Sequence, residues 1–253
     1  MKKIEEMSIL ITGGGSGIGA GAARYFSELG AKVTICGRRE ANVMQVSKEI
    51  GPNCLGIKGD VTIAKQRKKV LDAAVRHGKG LDALINSAAD MLRGPISDLN
   101  EDELMKVFHT NVVSGMMLTG ESISYLKESQ GSIIFLGSVH TRRSFPGASP
   151  YAATKGALEA LTRVLAAELG QYKIRVNCVI PGAVPTELNI RAGLFTKDEH
   201  DKRMNAIAPL HVLERVGTPE EIAEAIDYLI RAEWTTGTSM VVDGGISLGM
   251  SPF

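Results

Sequence analysis

Short apolar runs alternate with longer amphipathic stretches along the whole chain. Seven runs have the length and the Ile, Val and Leu content of strands, namely residues 8–12, 32–36, 53–60, 81–86, 132–137, 175–180 and 239–242. Several of them are almost continuously apolar, which is typical of parallel strands that are covered on both faces. The pattern therefore predicts a seven-stranded parallel sheet flanked by helices.

The stretches between these runs carry helix signals. Residues 18–29 and 150–169 have helical periodicity, and Asn100 followed by Glu103 indicates another helix that begins near residue 101. Residues 218–221 (Thr-Pro-Glu-Glu) place a cap, a first-turn proline and an acid in order. Because no repeat or linker divides the chain, we predict one doubly wound, Rossmann-like α/β domain over residues 1–253.

Composition and charge limit the classes of partner. The chain has 253 residues, of which 44% are hydrophobic and 23% charged, as in ordinary globular proteins. Its 29 Lys and Arg against 28 Asp and Glu give a net charge of +1, which removes the electrostatic argument for nucleic acid or an anionic membrane. No apolar stretch approaches the roughly 20 residues that a membrane span needs. Glu5 and Glu6 also interrupt any signal-peptide pattern.

The cysteines favour a reducing compartment. Cys36, Cys54 and Cys178 form no CxxC pair and no metal-ligand spacing. We expect them to be reduced thiols inside a cytoplasmic protein, with no metal site.

A glycine-rich segment lies between the first strand and the first helix. Residues 12–19 read TGGGSGIG, in which the glycines allow a tight turn and close approach of the backbone to a phosphate. The N-terminus of the following helix offers free N–H groups to that phosphate. The segment predicts a dinucleotide site with contacts at Gly13, Gly15, Ser16, Gly17, Ile18 and Gly19.

The end of the second strand bears on the choice of cofactor. NAD sites usually carry an acid about 20 residues after the glycines, whereas this strand is followed by Gly37, Arg38 and Arg39. Guanidinium groups pair with a 2′-phosphate, so we predict NADP(H) over NAD(H), with Arg38 as the main contact and Arg39 assisting. The alternative is two solvated arginines that open a helix. Asp60, after the third strand, either accepts from the adenine amino group or caps the helix after Val61.

Three side chains suggest hydride chemistry at a carbonyl carbon. Tyr151 and Lys155 are four residues apart on one helix and therefore share a face. Ketone reduction needs a proton for the developing alkoxide, and a nearby ammonium group should lower the pKa of the tyrosine. Ser138 follows a strand, so its hydroxyl would lie at the same edge of the sheet and donate to the substrate oxygen.

Asn111 lies on an apolar stripe of the helix that begins near residue 101. A buried amide must find hydrogen-bond partners. Asn111 therefore either holds structure together or belongs to a proton-relay network.

Taken together, these motifs resemble the short-chain dehydrogenase/reductase family over essentially the whole chain. They occur in the family's order: TGGGSGIG, Asp60, Asn111, Ser138, YAATK at 151–155, PGAVPT at 181–186 and VVDGG at 241–245. The resemblance implies a catalytic tetrad of Asn111, Ser138, Tyr151 and Lys155. Tyr151 would be the acid/base, Ser138 would orient the carbonyl and Lys155 would also bind the nicotinamide ribose. Asn111 would hold a helix kink and a water that leads protons out.

The resemblance also implies further contacts and an assembly. Besides Tyr151 and Lys155, the cofactor would contact Asp60, Val61, Asn86, Ala88, Pro181, Gly182, Val184 and Thr186. A homotetramer, or a homodimer, is implied, with the helices around Asn111 and Tyr151 forming one contact. The fourth strand departs from the family pattern because Ala89 replaces a glycine, and we expect a slight adjustment of the backbone there.

The substrate is less constrained. Residues 185–211 are a candidate lid, and the candidate substrate contacts are His140, Phe145, Leu188, Leu194 and Phe195. They favour a fairly apolar ketone or alcohol, such as a 3-oxoacyl carrier or a steroid- or bile-acid-like alcohol. Arg142 and Arg143 either meet an anionic tail or form a solvated rim.

Two alternatives stay open. One is an NAD(H)-dependent sugar-alcohol dehydrogenase. The other is a non-catalytic nucleotide-sensing or scaffold protein on the same fold, against which the complete tetrad argues.

Overall fold

A computed structural model describes residues 2–249 of the chain. One parallel sheet contains β1 Ser8–Thr12, β2 Lys32–Gly37, β3 Cys54–Lys58, β4 Ala83–Asn86, β5 Ser132–Leu136, β6 Arg175–Pro181 and β7 Ser239–Val242. The strand order is β3-β2-β1-β4-β5-β6-β7, and every neighbouring pair is parallel. All seven predicted strands are confirmed, with ends within two residues of the predicted bounds.

Helices cover both faces of the sheet. Those in the described residues are α1 Gly17–Glu28, α2 Glu40–Ile50, α3 Ala64–Gly78, α4 Glu101–Phe108, α5 Ser114–Ser129, α6 Ser149–Leu169, α7 Leu188–Arg191, α8 Lys197–Ile207 and α9 Pro219–Arg231. Buried residues of α1, α2 and α9 form the core on one face, and those of α3, α5 and α6 form it on the other. This confirms the single doubly wound α/β domain. No helix within residues 2–249 combines the length and apolar character needed to span a membrane.

The central strands show why their sequences are continuously apolar. Along β1, Ile9 and Ile11 pack into one core while Leu10 packs into the other. Successive side chains of a strand point to opposite faces, so a strand between two helical layers needs apolar residues at every position.

The crevice in which sheets of this kind bind ligands lies where the strand order reverses, between β1 and β4. The Thr12 side-chain oxygen at the end of β1 accepts hydrogen bonds from the backbone N–H groups of Ser87 (3.1 Å) and Ala88 (3.0 Å) after β4. This hydroxyl therefore fixes the two strand ends that border the crevice.

Capping residues begin three of the helices. The Asn100 side chain accepts from the backbone N–H of Glu103 at 3.1 Å before α4, and Thr218 and Glu221 form a capping box at α9, as predicted. Residues 185–211, the candidate lid, contain α7 and α8. Thr196 and Glu199 form a capping box at the start of α8. Their spacing was the sequence signal for that helix.

Candidate active site

The glycine loop presents a phosphate-sized cradle. Ser16 is the N-cap of α1, but its hydroxyl makes no capping hydrogen bond and instead accepts from Arg39 at 3.0 Å. The first N–H groups of α1 are therefore left for an anion. Gly13 has φ +69°, and a Cβ there would lie 2.9 Å from the Ala88 Cα. Only glycine fits this close approach, so the loop matches the predicted role.

Two connected cavities follow the carboxyl edge of the sheet from this loop. Both are lined by Gly13, Ser16, Ala89, Met91, Leu188 and Arg191. One extends over the ends of β2 and β3, to Arg38 and Val61, and the other reaches Ser138 and Tyr151 at the end of β5 and on α6. An elongated groove centred on a phosphate cradle fits a dinucleotide. In this arrangement the first cavity would hold the adenosine and the second the nicotinamide and the substrate.

At the adenosine end, both predicted cofactor arginines are paired with acids. Arg38 Nη2 lies 2.7 and 2.9 Å from the two carboxylate oxygens of Asp90. Arg39 Nη1 lies 2.8 Å from Glu187 Oε2. Both side chains stay exposed and Arg39 directly precedes α2, so the alternative of solvated arginines that open a helix stays open. A phosphate that binds here would replace a carboxylate as the partner of a guanidinium group.

Asp60 organises the turn before α3. Its Oδ1 accepts from the backbone N–H and the hydroxyl of Thr62, at 2.9 and 2.7 Å, and its own N–H donates to Gln66 Oε1 at 2.7 Å. The capping alternative is therefore close to what the structure has, although the cap stabilises the turn and α3 begins only at residue 64. Asp60 also lines the adenosine cavity.

The two predicted contacts after β4 lie in different places. Ala88 lines the adenosine cavity. Asn86 is not among the residues that line either cavity of the groove and lies instead beside Asn111 in a small internal cavity. Within the described part of the chain, neither amide atom of Asn86 has a hydrogen-bond partner. The structure thus places Asn86 behind the predicted cofactor site.

The predicted nicotinamide contacts line the same cavity as predicted catalytic residues. Pro181, Gly182, Val184 and Thr186 line the same cavity as Tyr151. Gly182 packs closely against the VVDGG segment, since a Cβ there would lie 2.7 Å from the Asp243 Cα.

Ser138, Tyr151 and Lys155 line one cavity and are all buried. Tyr151 and Lys155 share a face of α6, as predicted. Lys155 Nζ donates to the Leu136 carbonyl at 2.8 Å and lies 5.4 Å from the centroid of the Tyr151 ring. The carbonyl at the end of β5 therefore fixes the ammonium group beside the phenol.

Burial is the main cause of the pKa shifts of Tyr151 and Lys155. It raises the pKa of Tyr151 to about 12, against a hydrogen bond with Ser138 that lowers it. It also lowers the pKa of Lys155 to about 8. The net shift of the Tyr151 pKa is thus upward and not downward as expected, because burial outweighs the lowering expected from the nearby ammonium group. The ammonium group bonds to Leu136 and not to the phenol, and loss of hydration disfavours the phenolate.

Asn111 lies in a π-helical turn, His109–Val113, between α4 and α5. Its Oδ1 accepts from the Asp90 N–H at 2.7 Å, and its Nδ2 donates to the Asp90 carbonyl at 2.9 Å and to Thr154 Oγ1 at 3.0 Å. Through these bonds Asn111 connects the loop after β4 to α6, which is the structural role among the two alternatives that the sequence left open. Asn111 is not among the residues that line the cavity at Tyr151, and its part in proton relay stays a prediction.

His140 contacts Ser138, the predicted catalytic serine, directly. Its Nδ1 lies 2.9 Å from Ser138 Oγ, and its ring packs 4.6 Å from Phe145 and edge-on, 5.2 Å, from Tyr151 (centroid distances). Burial, with the charges of Arg93, Arg203 and Lys155, lowers the pKa of His140 to about 4. The imidazole is therefore neutral at physiological pH.

The predicted substrate contacts divide into two groups. His140, Phe145 and Leu188 line the cavity at Tyr151, together with Met204 and Ile207 of α8. Leu194 and Phe195 do not line it, because they lie in the connection between α7 and α8. The Phe195 ring instead contacts Arg203, whose guanidinium carbon lies 5.2 Å from the ring centroid.

Arg142 and Arg143 are not among the residues that line the cavity at Tyr151, and Arg142 is exposed, so the structure favours the solvated alternative over contact with an anionic tail. Arg142 forms an ion pair with the buried Glu159 of α6, with Nη1 3.2 Å from Oε1, and Arg143 Nη1 donates to the Ile246 carbonyl at 2.9 Å. Two arginines that sequence reasoning missed, Arg93 after β4 and Arg203 on α8, line the cavity instead. Arg93 follows a strand end at the correct edge of the sheet, and this was the one signal for it.

Comparison with known proteins agrees with a nicotinamide-dependent oxidoreductase site of this kind. A family profile described as enoyl-(acyl carrier protein) reductase matches residues 13–247. L-Fucose dehydrogenase of Bos taurus is 34% identical over 245 residues, covering 95% of this chain and 89% of that protein. Glucose 1-dehydrogenase of Gluconobacter oxydans is 32% identical over 249 residues, covering 95% and 91%.

Solved structures give the same result. A short-chain dehydrogenase/reductase of unknown function from Caenorhabditis elegans superposes with a TM-score of 0.91 at 27% identity, over 98% of both chains. The 3-ketoacyl-(acyl-carrier-protein) reductase of Brucella melitensis, in complex with NADH, superposes with a TM-score of 0.84 at 29% identity, over 95% of this chain and 98% of that one. The protein is therefore an oxidoreductase that belongs to the short-chain dehydrogenase/reductase family, whose members bind a nicotinamide cofactor.

Proposed function

We propose that the protein interconverts a ketone and a secondary alcohol on a fairly apolar substrate, with NADP(H) as its cofactor. The observation that carries this proposal is the position of Ser138, Tyr151 and Lys155 in one cavity that continues to the glycine loop. A hydroxyl donor, a buried phenol and an ammonium group beside a dinucleotide groove suit carbonyl reduction.

The residues of the chain handle the substrate oxygen and its proton. When bound, the nicotinamide supplies a hydride to the carbonyl carbon in reduction and accepts one in oxidation. Ser138 donates a hydrogen bond to the substrate oxygen, and Tyr151 transfers its proton to that oxygen as negative charge develops there. Because burial raises the pKa of Tyr151, the phenol is protonated at neutral pH and ready to act as an acid.

Lys155 and Asn111 support this step. The Lys155 ammonium, held by the Leu136 carbonyl, stabilises the phenolate that remains after proton transfer, and it would also bind the nicotinamide ribose. Asn111 would keep α6 in place through Thr154 and hold a water that returns protons to Tyr151.

The preference for NADP(H) rests on Arg38 and Arg39 at the end of β2, where NAD sites usually carry an acid. A 2′-phosphate carries more charge than a carboxylate, so it would compete effectively with Asp90 and Glu187 for these guanidinium groups. The glycine loop, Asp60, Val61 and Ala88 would hold the rest of the adenosine diphosphate.

A second candidate is an NAD(H)-dependent sugar or sugar-alcohol dehydrogenase. It is favoured by the names of two relatives, L-fucose dehydrogenase and glucose 1-dehydrogenase. The apolar side chains in the cavity wall disfavour a polyol, because they offer no partners for hydroxyl groups; they belong to Met91, Phe145, Leu188, Met204 and Ile207.

Kinetics with a panel of ketones, alcohols and aldoses, using NADPH and NADH in turn, test both candidates. We expect ketone turnover, a kcat/KM for NADPH at least about 10-fold above that for NADH, and a loss of about 1,000-fold in Tyr151→Phe with NADPH binding retained. Tyr228→Phe, at an exposed position on α9, is the control. If wild type and Tyr151→Phe both bind NADPH and neither turns over any compound, the protein is a nucleotide sensor or scaffold.

The assembly is proposed to be a homotetramer, or a homodimer, of a cytoplasmic protein. Met105, Met116 and Met117 on α4 and α5, and Val164 on α6, leave large apolar side chains exposed near the expected contact. Cys36, Cys54 and Cys178 are all free and buried, which supports a reducing compartment. Light scattering should give a multiple of the 27.0 kDa protomer mass, and Met116→Asp should lower it.

A further inference from the structure

Two arginines give the substrate end of the groove an unusual electrostatic character. Arg93 follows β4 and Arg203 lies on α8, and both are half-buried in the wall of the cavity that holds Ser138, His140 and Tyr151. They are far apart in the sequence, so the fold and not local patterning places them in one cavity.

Neither guanidinium group has an acidic partner within residues 2–249. Arg203 rests on the Phe195 ring, and Arg93 makes no hydrogen bond or ion pair to another described residue. Arg38, Arg39 and Arg142, by contrast, all bind carboxylates. Burial and the charge of Arg203 lower the pKa of Arg93. Two like charges therefore lie in the partly dehydrated wall of one cavity with no acidic partner among the described residues.

The other charged groups of the cavity do not compensate them. The described residues that line it include four bases, Arg93, Lys155, Arg191 and Arg203, and one acid, Glu187. Glu187 is already bound to Arg39 at 2.8 Å. The cavity therefore has a net positive potential, which favours an anionic ligand.

The place of the two arginines relative to the reacting groups limits what this ligand can be. Both guanidinium groups lie in the wall of the same cavity as Ser138 and Tyr151, and His140 Nδ1 in that wall lies 2.9 Å from Ser138 Oγ. An anionic group held by the arginines and a carbonyl held by Ser138 must therefore fit together within this one cavity. A carrier-linked substrate does not meet this condition, because its phosphate is separated from the carbonyl by the whole pantetheine arm.

We propose that the substrate is a short, largely apolar oxo acid or hydroxy acid whose carboxylate binds Arg93 and Arg203 while its carbonyl or hydroxyl faces Ser138 and Tyr151. This proposal rests on the proposed ketone/alcohol chemistry. The forked donors of arginine match the two oxygens of a carboxylate, and the surrounding Met91, Phe145 and Leu188 accommodate the carbon chain. The substrate carboxylate supplies the counter-charge that the protein itself lacks at this place.

Matched pairs of acids and esters test the proposal. The probes are 3-oxobutanoate, 4-oxopentanoate and 3-oxooctanoate, each beside its methyl ester, with NADPH and the wild-type protein. We expect the preferred acid to exceed its ester in kcat/KM by about 10- to 100-fold, the effect of one charge-assisted contact. Arg93→Gln and Arg203→Gln should each lower kcat/KM for the acid by a similar factor, mostly through KM, and should leave the ester within about threefold.

Lys202→Gln is the matched control, because Lys202 is the exposed neighbour of Arg203 on α8. It should change neither substrate. Equal turnover of acids and esters, or equal losses for both in the arginine variants, would overturn the carboxylate site while leaving the ketone/alcohol chemistry intact. Preference for a carrier-linked thioester over every free acid would also overturn it.

Binding measured apart from turnover separates the two proposals further. Tyr151→Phe, saturated with NADPH, is titrated calorimetrically with each oxo acid and its ester. Acid binding that disappears with an added Arg93→Gln substitution supports the carboxylate site even if catalysis fails. Absence of acid binding in Tyr151→Phe rejects the site whatever the activity of the wild type.

Discussion

The two ends of the groove are built by different means. At the cofactor end, consecutive residues 12–19 form the cradle from backbone alone, with glycine at the crowded positions. At the substrate end, Ser138, Tyr151 and Arg203 come from a strand end, α6 and α8, which are far apart in the sequence. A backbone cradle can recognise the feature common to all dinucleotides, while a wall of separate side chains can change one residue at a time. Cofactor chemistry is therefore shared across the family, and selectivity belongs to the individual chain.

The same contrast holds for charge. Arg38 and Arg39 at the cofactor end are held by Asp90 and Glu187, so an incoming phosphate must exchange partners with a carboxylate. Arg93 at the substrate end is held by no acid of the described chain. A ligand loses less by binding to an unpaired charge than by displacing a paired one. Anion selectivity should therefore be sharper at the substrate end.

The largest loss of activity is expected when the buried ammonium group at the substrate end is removed. We expect Lys155→Met to lower kcat for alcohol oxidation by about 1,000-fold, because the phenolate loses its stabilising charge. Oxidation needs deprotonated Tyr151, so the wild-type rate should rise with pH, and the rise should weaken above about pH 8 as Lys155 loses its proton. In the variant the rising limb should move to higher pH. Unchanged pH profiles would contradict this role.

Thermal unfolding of Lys155→Met checks that the loss is not caused by misfolding. Burial lowers the pKa of Lys155 from 10.5 to about 8, so the charged lysine destabilises the folded state below pH 8. That cost is relieved as the pH rises from about 8 towards 10.5. The variant should therefore unfold at an equal or higher temperature than wild type at pH 7, and the difference should shrink at pH 10.

Adding one carbon to the glycine loop should weaken cofactor binding at the cofactor end. Gly13→Ala places a side chain at φ +69° and a Cβ 2.9 Å from the Ala88 backbone. We expect NADPH affinity to fall by about 100-fold in a fluorescence titration, because the loop must move out of the cradle geometry. Gly120→Ala is the control, since a Cβ there meets nothing within 4 Å and alanine favours the helix. Equal NADPH affinity in both variants would show that the cradle does not need its glycine.

The paired arginines give a more graded test of the cofactor end. Arg38→Gln should lower the ratio of kcat/KM for NADPH to that for NADH by about 10-fold, whereas Asp90→Asn, which frees Arg38 from its carboxylate, should raise it a few fold. Opposite signs from the two partners of one ion pair would support the proposed exchange. The same sign from both would indicate that the pair only stabilises the loop after β4.

The smallest effect is expected at His140, which touches Ser138 and carries no charge at neutral pH. His140→Ala should lower kcat for reduction by about 3- to 10-fold, because the serine hydroxyl loses one of its orienting contacts. KM for NADPH should not change. A loss confined to KM for the substrate would instead make His140 a binding residue of the cavity wall.

The sequence predicted the parts of the molecule that are local in the chain. Strands show as apolar runs, caps as Thr–Glu or Asn–Glu spacings, and the cradle as consecutive glycines, and all of these are visible without tertiary structure. Tyr151 and Lys155 were likewise accessible, since helix geometry alone puts them on one face.

What the sequence could not predict depends on where loops fold back. Arg142 and Arg143 follow Ser138 closely in sequence, yet Arg142 turns to the buried Glu159 and Arg143 to the Ile246 carbonyl. Arg93 and Arg203, from other segments, occupy the wall instead. The acidity of Tyr151 was also misjudged, because the spacing to Lys155 gives proximity but not the loss of hydration at both groups.

The π-helical turn at residues 109–113 imposes a constraint on chain length. It accommodates one more residue than an α-helical turn would, and this extra residue lets Asn111 reach Asp90 while α4 and α5 both keep their apolar faces inward. Deleting one residue there would restore an ordinary α-helical turn, which keeps the phase of α5 but withdraws Asn111 from Asp90. One-residue deletions within residues 109–113 should therefore be far rarer among functional descendants of this gene than substitutions elsewhere on α4 and α5.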